Sequence, residues 1–301
     1  MTPAKPLAEL TDDEFGRFRA LIYRVAGIRI PPTKRVMVSN RIRRRLRATG
    51  IGGFSAYYAH LTSAAGGGEM PRFLDEITTN ETYFYRDPHH YQWLADSFLP
   101  EVARQARLRR HPRRLRFWSA ACSTGEEPYS IALKLLAYRP QLPGWSLTVL
   151  GTDLSTAALD AARAACYDEK AVRLVPPDER RTRFDHDPVA GRWTLKPEAR
   201  ALVSWKAHNL ITPLREEEFD CIFIKNILIY FDEDSKRVVV GRLIDLLAEG
   251  GFLVVGPTEG IHKMLDGLVR HRPWLYQKPG RHAAEPSGRV GPEHRRAADG
   301  A

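Results

Sequence analysis

The residues best suited to chemistry begin at Ser119, in the segment Ser-Ala-Ala-Cys-Ser-Thr-Gly-Glu-Glu that ends at Glu127. Loops that bind a pyrophosphate have several glycines and lead into a helix N-terminus free of acidic side chains. This segment has one glycine and two adjacent glutamates, which disfavours NAD and ATP as ligands. Small residues beside carboxylates suit a cationic ligand that carries an adenosine, as S-adenosylmethionine does. The same residue types are common at the start of ordinary helices, so this segment alone leaves both interpretations open.

A second candidate, Asp153, ends a predicted strand. Ligands bind at the carboxyl ends of parallel strands, where an acidic side chain can accept hydrogen bonds from ribose hydroxyls. We predict strands over residues 115–121, 147–153, 202–207, 221–225, 252–256 and 274–278. Helices are predicted between them, the last of which runs from about residue 233 to residue 248 and ends at Gly250-Gly251. This alternation is typical of an α/β, Rossmann-like sheet that is covered by helices on both faces.

The residues before this sheet predict helices only. Thr11 and Glu14 form a capping box for the first helix, which we expect to end at Pro31-Pro32, with the second helix beginning at Thr33. Shorter helices are predicted over residues 54–61 and 70–79. The sequence therefore predicts an all-α domain ahead of the α/β domain.

Two other segments differ in composition from the sheet and the helices. Residues 167–201 are rich in Pro, Arg and Asp and are too long for an ordinary connection, which indicates an inserted subdomain or a functional loop. Residues 281–301, rich in Gly, Pro, Arg and Ala, predict a disordered tail.

The positive charge of the chain is concentrated in two segments. Residues 34–47 and residues 104–116 each contain seven basic residues and no acid, so the remainder of the chain has a net charge of −4 against a total of +10. Such segments suit an acidic partner. For the second segment we predict only solubility and an extension of the surface that the first one forms.

The first basic segment predicts a helix with a narrow apolar stripe at Val38, Ile42 and Leu46. Its arginines point away from the stripe and have no compensating acid within the segment, which favours a docking surface for an acidic helix. For any single arginine, a solvated position is the simpler interpretation. Nucleic acid is disfavoured because the segment has no aromatic residue for base stacking. The predicted docking residues are Arg41, Arg43, Arg44 and Arg47.

The sequence disfavours a membrane-spanning protein, a disulfide-bonded protein and a metal-binding protein. The start of the chain has no apolar signal region, and the longest apolar stretch is interrupted and far shorter than a membrane span, so we expect a cytoplasmic protein without membrane insertion. Three widely spaced cysteines predict free thiols. His89 and His90 are adjacent on a predicted helix and lack partners at ligand spacing, so we predict no metal.

Three strings of residues resemble the chemotaxis-receptor methyltransferases, the CheR family. They are Thr-Thr-Asn-Glu-Thr-Tyr-Phe-Tyr-Arg-Asp, which starts at Thr78, Ser-Ala-Ala-Cys-Ser-Thr-Gly-Glu-Glu-Pro-Tyr-Ser, which starts at Ser119, and Asn-Ile-Leu-Ile-Tyr-Phe-Asp, which starts at Asn226. The resemblance extends over residues 10–278. It implies a Rossmann-like methyltransferase domain with a small inserted β-subdomain, an all-α N-terminal domain, and transfer of a methyl group from S-adenosylmethionine to glutamates of receptors.

The resemblance also implies a domain organisation and a partner. It implies a helical receptor-docking domain over residues 1–80, a methyltransferase domain over residues 81–280 with the insertion at 167–201, and the tail at 281–301. The implied partner is the cytoplasmic domain of membrane chemoreceptors, and we expect a monomer. A non-catalytic relative that binds S-adenosylmethionine or a receptor, or a methyltransferase for another acidic protein, is the alternative.

The family's site residues carry over by position, with two departures. Lys225 stands where the family usually has arginine, so a bidentate contact is not expected there. Thr258-Glu259 stands where members more often have Ser-Glu, and little effect is expected because a hydroxyl beside a carboxylate is kept. Arg86 and Tyr230 are the catalytic candidates, as the cation that holds a carboxylate and the donor near the methyl group. The alternatives are a salt bridge from Arg86 to Asp87 and simple packing of Tyr230 under the sheet edge. The implied cofactor contacts are Asn80, Thr82, Arg86, Glu127, Asp153, Asn209, Leu210, Lys225 and Asn226.

Overall fold

A computed structural model of the chain describes residues 9–78, 81–108 and 112–280. Its N-terminal part is a bundle of four helices with a hydrophobic core of its own, to which each helix contributes buried side chains. The predicted disordered tail and Asn80 lie outside the described residues. The four helices are α1 (Asp12–Ala26), α2 (Arg35–Thr49), α3 (Phe54–Leu61) and α4 (Met70–Ile77).

The ends of the first two helices differ partly from the prediction. The capping box of Thr11 and Glu14 is confirmed. Helix α1 ends earlier than expected, because Gly27 takes up a left-handed conformation (φ 70°) that turns the chain before the two prolines. Helix α2 begins at Arg35 rather than Thr33, after a short 3₁₀ turn at Pro32–Lys34.

The second part of the chain is a seven-stranded sheet with its covering helices. Two helices precede the sheet, with a π-helical turn at Leu94–Phe98 between them: α5 (Pro88–Trp93) and α6 (Leu99–Arg107). The remaining elements are β1 (Arg114–Ala120), α7 (Glu126–Tyr138), β2 (Ser146–Asp153), α8 (Thr156–Ala164), β3 (Cys166–Asp168), α9 (Glu169–Val172), α10 (Pro177–Arg183), β4 (Phe184–Asp187), β5 (Arg192–Leu195), α11 (Pro197–Arg200), β6 (Val203–Ala207), β7 (Phe219–Ile224), α12 (Glu233–Asp245), β8 (Leu247–Val255), β9 (Val269–Arg272) and β10 (Leu275–Gln277).

The strand order of the large sheet is β6-β2-β1-β7-β8-β10-β9. Strands β6, β2, β1, β7 and β8 are parallel, and β10 and β9 pair antiparallel at one edge. The first strand of this sheet, β1, lies in its middle. The next strands, β2 and β6, are added on one side of β1, and β7 then follows on the other side. A crevice forms at such a reversal, at the carboxyl ends of β1 and β7, and this is the usual ligand site of an open α/β sheet.

Alternate residues of the central strands face two different hydrophobic cores. Phe117 and Phe223 lie in the core that α5, α6 and α7 cover, whereas Trp118 and Ile222 lie in the core that α12 covers. This alternation follows from the two-residue period of a strand. The predicted α/β Rossmann-like fold with an all-α N-terminal domain is confirmed.

The insertion forms the expected small β-subdomain. Strands β3, β5 and β4 make a separate three-stranded antiparallel sheet in that order. Phe84, from the segment before α5, stacks edge-on against Tyr167 and Phe184 of this sheet, with ring centroids 4.9 Å and 5.3 Å apart. The subdomain therefore packs directly on the segment that links the helical bundle to the α/β domain.

The prediction was wrong at the carboxyl-terminal side of the sheet. Helix α12 ends at Asp245, and the residues expected to continue it to 248 instead begin β8, which runs through Gly250 and Gly251. Leu247 is fully buried and pairs with Phe219 of β7. Burial of this leucine on the sheet outweighs its helical propensity. Strand β9 was not predicted.

Candidate active site

A cavity of about 520 Å³ lies at the carboxyl ends of β1, β2 and β7, which is within the usual size range for small-molecule sites. One wall comes from the sheet and the other from the helical bundle. Every predicted catalytic or cofactor-binding residue that the structure describes lines it, so residues far apart in the sequence are brought together as expected. They are Thr82, Arg86, Glu127, Asp153, Asn209, Leu210, Lys225, Asn226 and Tyr230.

Asp153 is held by two backbone groups at the end of β2. Its carboxylate accepts hydrogen bonds from the N–H of Ser123 and the N–H of Ser155, each at 2.8 Å. Burial raises the pKa of Asp153, and these backbone hydrogen bonds oppose that rise. Each carboxylate oxygen has a second lone pair, so the fixed side chain can still accept hydrogen bonds from a ligand in the cavity.

Lys225 connects three parts of the site. Its buried ammonium Nζ donates to the carbonyl oxygen of Arg86 at 2.7 Å and lies 3.2 Å from the carboxylate of Asp87 and 3.4 Å from that of Glu127. Glu127 also accepts a hydrogen bond from the hydroxyl of Ser119 at 2.7 Å. The ammonium thus makes one hydrogen bond and two ion pairs, contacts that a point charge makes without the planar fork of arginine.

Arg86 lies in a strained turn between two non-glycine residues with positive φ, Tyr85 at 58° and Asp87 at 62°. Such conformations are rare and are often found at functional sites. The guanidinium of Arg86 donates to the carbonyl of Glu81 at 2.9 Å, while the Asp87 carboxylate pairs with Lys225 instead. The salt bridge between Arg86 and Asp87 that sequence allowed as an alternative is not formed.

Tyr230 is placed at the rim of the cavity rather than under the sheet edge. Its side chain is 37% exposed and it lines the cavity. Its carbonyl accepts the N–H of Arg29 at 2.7 Å, and its neighbour Phe231 forms an antiparallel bridge with Ile28. The loop after α1 thus joins the helical bundle to the Tyr230 segment.

A second link between the two parts of the chain passes through Asn209. Its side-chain amide donates to the carbonyl of Val25 at 2.6 Å. Sequence reasoning missed the residues that the bundle adds to the cavity, which include Arg29, Lys34 and Met37. No local pattern identifies them as site residues, because their proximity depends on how the bundle packs on the sheet.

The basic face of α2 is more strongly paired than expected. Arg44 forms an ion pair with Glu76 of α4 at 2.6 Å, and Arg45 forms a bidentate pair with the buried Glu69. The expectation that the predicted docking arginines lack a compensating acid was therefore wrong for Arg44, since its partner comes from another helix. Arg47 is exposed, and the guanidinium of Arg43 lies 5.9 Å from the ring of Phe54.

Arg41 connects the basic face with the site. Its guanidinium donates to the carbonyl oxygens of Ile77 and Thr78, at the end of α4. Burial lowers the pKa of Arg41, with Arg44 acting in the same direction and Glu76 and Tyr230 acting against it. Lys34 and Met37 line the cavity, so the amino-terminal end of α2 lies beside it.

Two properties of the described residues concern metals and membranes. Within residues 9–78, 81–108 and 112–280, no group of three or more His, Cys, Asp and Glu side chains could hold a metal ion. His90 is fully buried against Trp274, with ring centroids 4.4 Å apart, and burial lowers its pKa to about 2. In the same part of the chain, no helix has the length and apolar character needed to cross a membrane.

Comparison with known proteins identifies the family. Residues 13–78 match the family described as CheR methyltransferase, all-alpha domain, and residues 80–271 match CheR methyltransferase, SAM binding domain. The chain belongs to the CheR methyltransferase family. The predicted resemblance is thereby confirmed, and the chain is an S-adenosylmethionine-dependent methyltransferase.

Relatives in this family match over most of their length. A probable chemotaxis protein methyltransferase of Rhizobium etli is 38% identical over 245 residues, which cover 80% of this chain and 90% of that protein. The chemotaxis protein methyltransferase of Escherichia coli is 36% identical over 255 residues, covering 83% and 85%. That of Vibrio parahaemolyticus is 32% identical over 275 residues, covering 89% and 98%.

The cofactor of the CheR family fits the chemistry of this cavity. Glu127 and Asp153 offer acceptors for an ammonium group and for ribose hydroxyls, and Ile28, Leu210 and Ile227 supply apolar surface for a base. The hydroxyl of Ser123 is buried in the same wall and has no hydrogen-bond partner among the described residues. A polar ligand would satisfy that hydroxyl, because buried polar groups are rarely left unpaired.

Proposed function

We propose that this CheR family member transfers the methyl group of S-adenosylmethionine to glutamate side chains in the cytoplasmic domain of membrane chemoreceptors, giving methyl esters. The observation that carries the proposal is that α2 leads from the cavity to an exposed basic face. Lys34 and Met37, at the start of the helix, line the cavity, and Arg44 and Arg47 extend along its exposed side. An acidic helix that lies on this face would bring a carboxylate to the cavity rim.

The reaction requires orientation more than acid–base chemistry. An exposed glutamate has a pKa near 4.3, so the attacking carboxylate is already ionised at neutral pH and no proton has to be removed. When bound, S-adenosylmethionine supplies a methyl group on a positively charged sulfur. A carboxylate oxygen forms a bond to that carbon while the carbon–sulfur bond breaks and its electron pair stays on sulfur. Orientation of such reactants can lower a barrier by about 7–11 kcal/mol.

Arg86 and Tyr230 are the residues to which we assign the catalytic roles. Arg86 presents a cation to the cavity from a rigid turn, and we propose that it holds the incoming carboxylate. Tyr230 offers a hydroxyl at the rim, where we propose that it positions the group next to the methyl carbon. Lys225 supports the assignment of Arg86 indirectly, since it binds the turn that carries Arg86.

We assign cofactor binding to the polar and apolar walls of the same cavity. Asp153 is assigned to the ribose hydroxyls and Glu127 to the ammonium end, while Leu210 and Asn209 lie on the side assigned to the adenosine. Backbone N–H groups hold the carboxylate of Asp153 and Lys225 pairs with Glu127, so both acceptors are fixed before the cofactor binds.

The experiment uses the purified full chain, S-adenosylmethionine labelled in its methyl group, and membranes that contain chemoreceptors. We expect label on the receptors that alkali releases as methanol, as a methyl ester requires. An Arg86→Met variant is the negative control and should give no such label.

Other outcomes separate the alternatives. Alkali-stable label on the receptors would contradict glutamate ester formation. Binding of S-adenosylhomocysteine without any label at saturating receptor would indicate a non-catalytic relative. Alkali-labile label that appears only on other acidic proteins would contradict the receptor as substrate.

A further inference from the structure

Glu259 is a fully buried carboxylate that does not line the cavity but lies directly behind it. It belongs to the turn after β8. Its carboxylate accepts hydrogen bonds from three consecutive backbone N–H groups, those of Asn226, Ile227 at 3.3 Å and Leu228 at 2.7 Å. Three converging N–H groups make an anion-binding concavity, and here the anion is a side chain of the same protein.

The segment that Glu259 holds is the one that carries two site residues. Asn226 and Tyr230 both lie in the cavity wall, four residues apart. Asn226 has a left-handed backbone conformation (φ 58°), which costs free energy in a residue other than glycine. The hydrogen bonds that Glu259 accepts offset this cost, because they form only when the three N–H groups converge.

The surroundings of Glu259 are shaped to admit the carboxylate. A Cβ atom at Gly256 would lie 2.5 Å from the Oε1 atom of Glu259, so only glycine leaves room for the side chain in this position. Lys236 of α12 interacts with Glu259 electrostatically and opposes the rise in the pKa of Glu259 that burial causes. The carboxylate is therefore fully buried and bound by three backbone donors.

We propose that Glu259 is a positioning residue for methyl transfer: by clamping the backbone of residues 226–228, it presents Asn226 and Tyr230 to the cavity. This inference rests on the proposed function, since it takes Tyr230 and Asn226 as site residues. The proposal predicts that loss of one acceptor oxygen weakens cofactor binding and lowers kcat, in addition to any loss of stability.

The experiment compares Glu259→Gln with the matched control Glu69→Gln. Both carboxylates are buried and accept several hydrogen bonds, but Glu69 bonds to Arg45 and Tyr57 inside the helical bundle, away from the cavity. In Glu259→Gln, the new side-chain amide would turn its own N–H donors toward backbone N–H donors. For each variant the melting temperature, the affinity for S-adenosylhomocysteine, and kcat and KM for receptor methylation are measured.

We expect Glu259→Gln to weaken S-adenosylhomocysteine binding about tenfold and to lower kcat at least tenfold, with KM for receptor nearly unchanged. Glu69→Gln should lower the melting temperature and leave cofactor affinity and kcat within about twofold. Glu259→Asp keeps the charge but shortens the side chain, so its cofactor affinity and kcat should lie between those of the wild type and of Glu259→Gln. If Glu259→Gln does not fold, Glu259→Asp is used in its place.

A lower melting temperature with normal cofactor affinity and kcat in both Glu259 variants would overturn the proposal and leave Glu259 a structural residue. Failure of the proposed function has a different signature. If the wild-type chain bound S-adenosylhomocysteine but methylated no receptor, the binding measurement would still decide whether Glu259 positions the site.

Discussion

The two basic segments have equal charge in the sequence but lie at opposite ends of the central sheet. The first forms α2, beside the cavity at the carboxyl ends of the strands. The second leads into β1 at its amino end, on the far side of the sheet. The sequence predicted that the second segment extends the surface of the first. Their positions at opposite ends of the sheet show that it does not.

The pairing of the two segments also differs. Arg114 and Arg116 are bound to the acidic segment before β7, through Glu217 at 2.6 Å and Glu216 at 3.2 Å. Arg116 also lies over the ring of Phe219, with 4.6 Å between its guanidinium carbon and the ring centroid. In α2, Arg44 pairs instead with Glu76 inside the helical bundle, and Arg47 remains exposed. The paired arginines of the first segment therefore join helices of the bundle, whereas those of the second join β1 to the segment before β7.

The largest expected effect comes from reversing charge on α2. We expect Arg44→Glu with Arg47→Glu to lower kcat/KM for receptor about thirtyfold, because each reversal replaces an attraction by a repulsion worth about 1 kcal/mol. Arg43 is kept, since it packs near Phe54. Affinity for S-adenosylhomocysteine, measured by calorimetry, should not change.

The control for this pair is Arg104→Glu with Arg107→Glu, which makes the same change in net charge on exposed residues of α6. It should leave kcat/KM within about twofold. An equal loss in both double variants would show that net charge, not the α2 surface, governs docking.

A smaller effect is expected from the loop that joins α1 to the cavity. In Gly27→Ala, the new Cβ would lie 2.7 Å from Ile211 and 3.1 Å from Phe231, next to the residues that line the site. We expect S-adenosylhomocysteine to bind about tenfold more weakly. Gly50→Ala is the control, because Gly50 has the same left-handed conformation (φ 73°) with open space around it.

Gly50→Ala should cost about 1 kcal/mol of stability from backbone strain and leave cofactor affinity unchanged. If the two alanine variants weakened binding equally, general loss of stability would account for the result, and the loop would have no special link to the site.

The second basic segment should respond in stability rather than in activity. Arg116→Met removes the pairing with Glu216 and the hydrogen bonds to the carbonyls of Glu217 and Glu218. We expect the free energy of unfolding in urea to fall by about 1 kcal/mol, while kcat/KM per folded molecule stays constant. A loss of receptor methylation at full folding would give this segment a docking role after all.

The smallest expected effect is that of salt. Raising the ionic strength from about 0.05 M to about 0.5 M shortens the screening length well below 10 Å, so receptor methylation should fall a few-fold. The α2 double variant should lose most of this dependence, and the α6 double variant should keep it. A salt response that is equal in all three proteins would argue against electrostatic docking on α2.

Much of the fold follows from local patterns in the sequence. The apolar stripe of Val38, Ile42 and Leu46 is buried as its spacing predicts, and the central strands lie within one or two residues of their predicted ends, apart from the start of β8. Such patterns are reliable because alternation and helical spacing decide which face of an element can be buried. They failed at α12, where a leucine with good helical propensity pairs with β7 instead.

The cavity-lining residues from the sheet side were predictable for a similar reason. Glu127, Asp153 and Asn226 follow strands whose carboxyl ends must meet in a parallel sheet, so their proximity follows from the topology. In the sequence, Glu259 stands out only through Thr258-Glu259, the second departure from the family's pattern. Its clamp on residues 226–228 required the position of the turn after β8, which no local spacing specifies.

The sequence by itself determined the class of fold, the edge of the sheet where the cavity lies, and the sheet-side residues that line it. Only the tertiary structure decided which charges are paired and which stay exposed, because an ion pair such as that between Arg44 and Glu76 joins helices that are far apart in the chain. It also decided that the helical bundle closes the cavity through the loop after α1. Charge is a property of a residue, but its partner depends on how the elements pack.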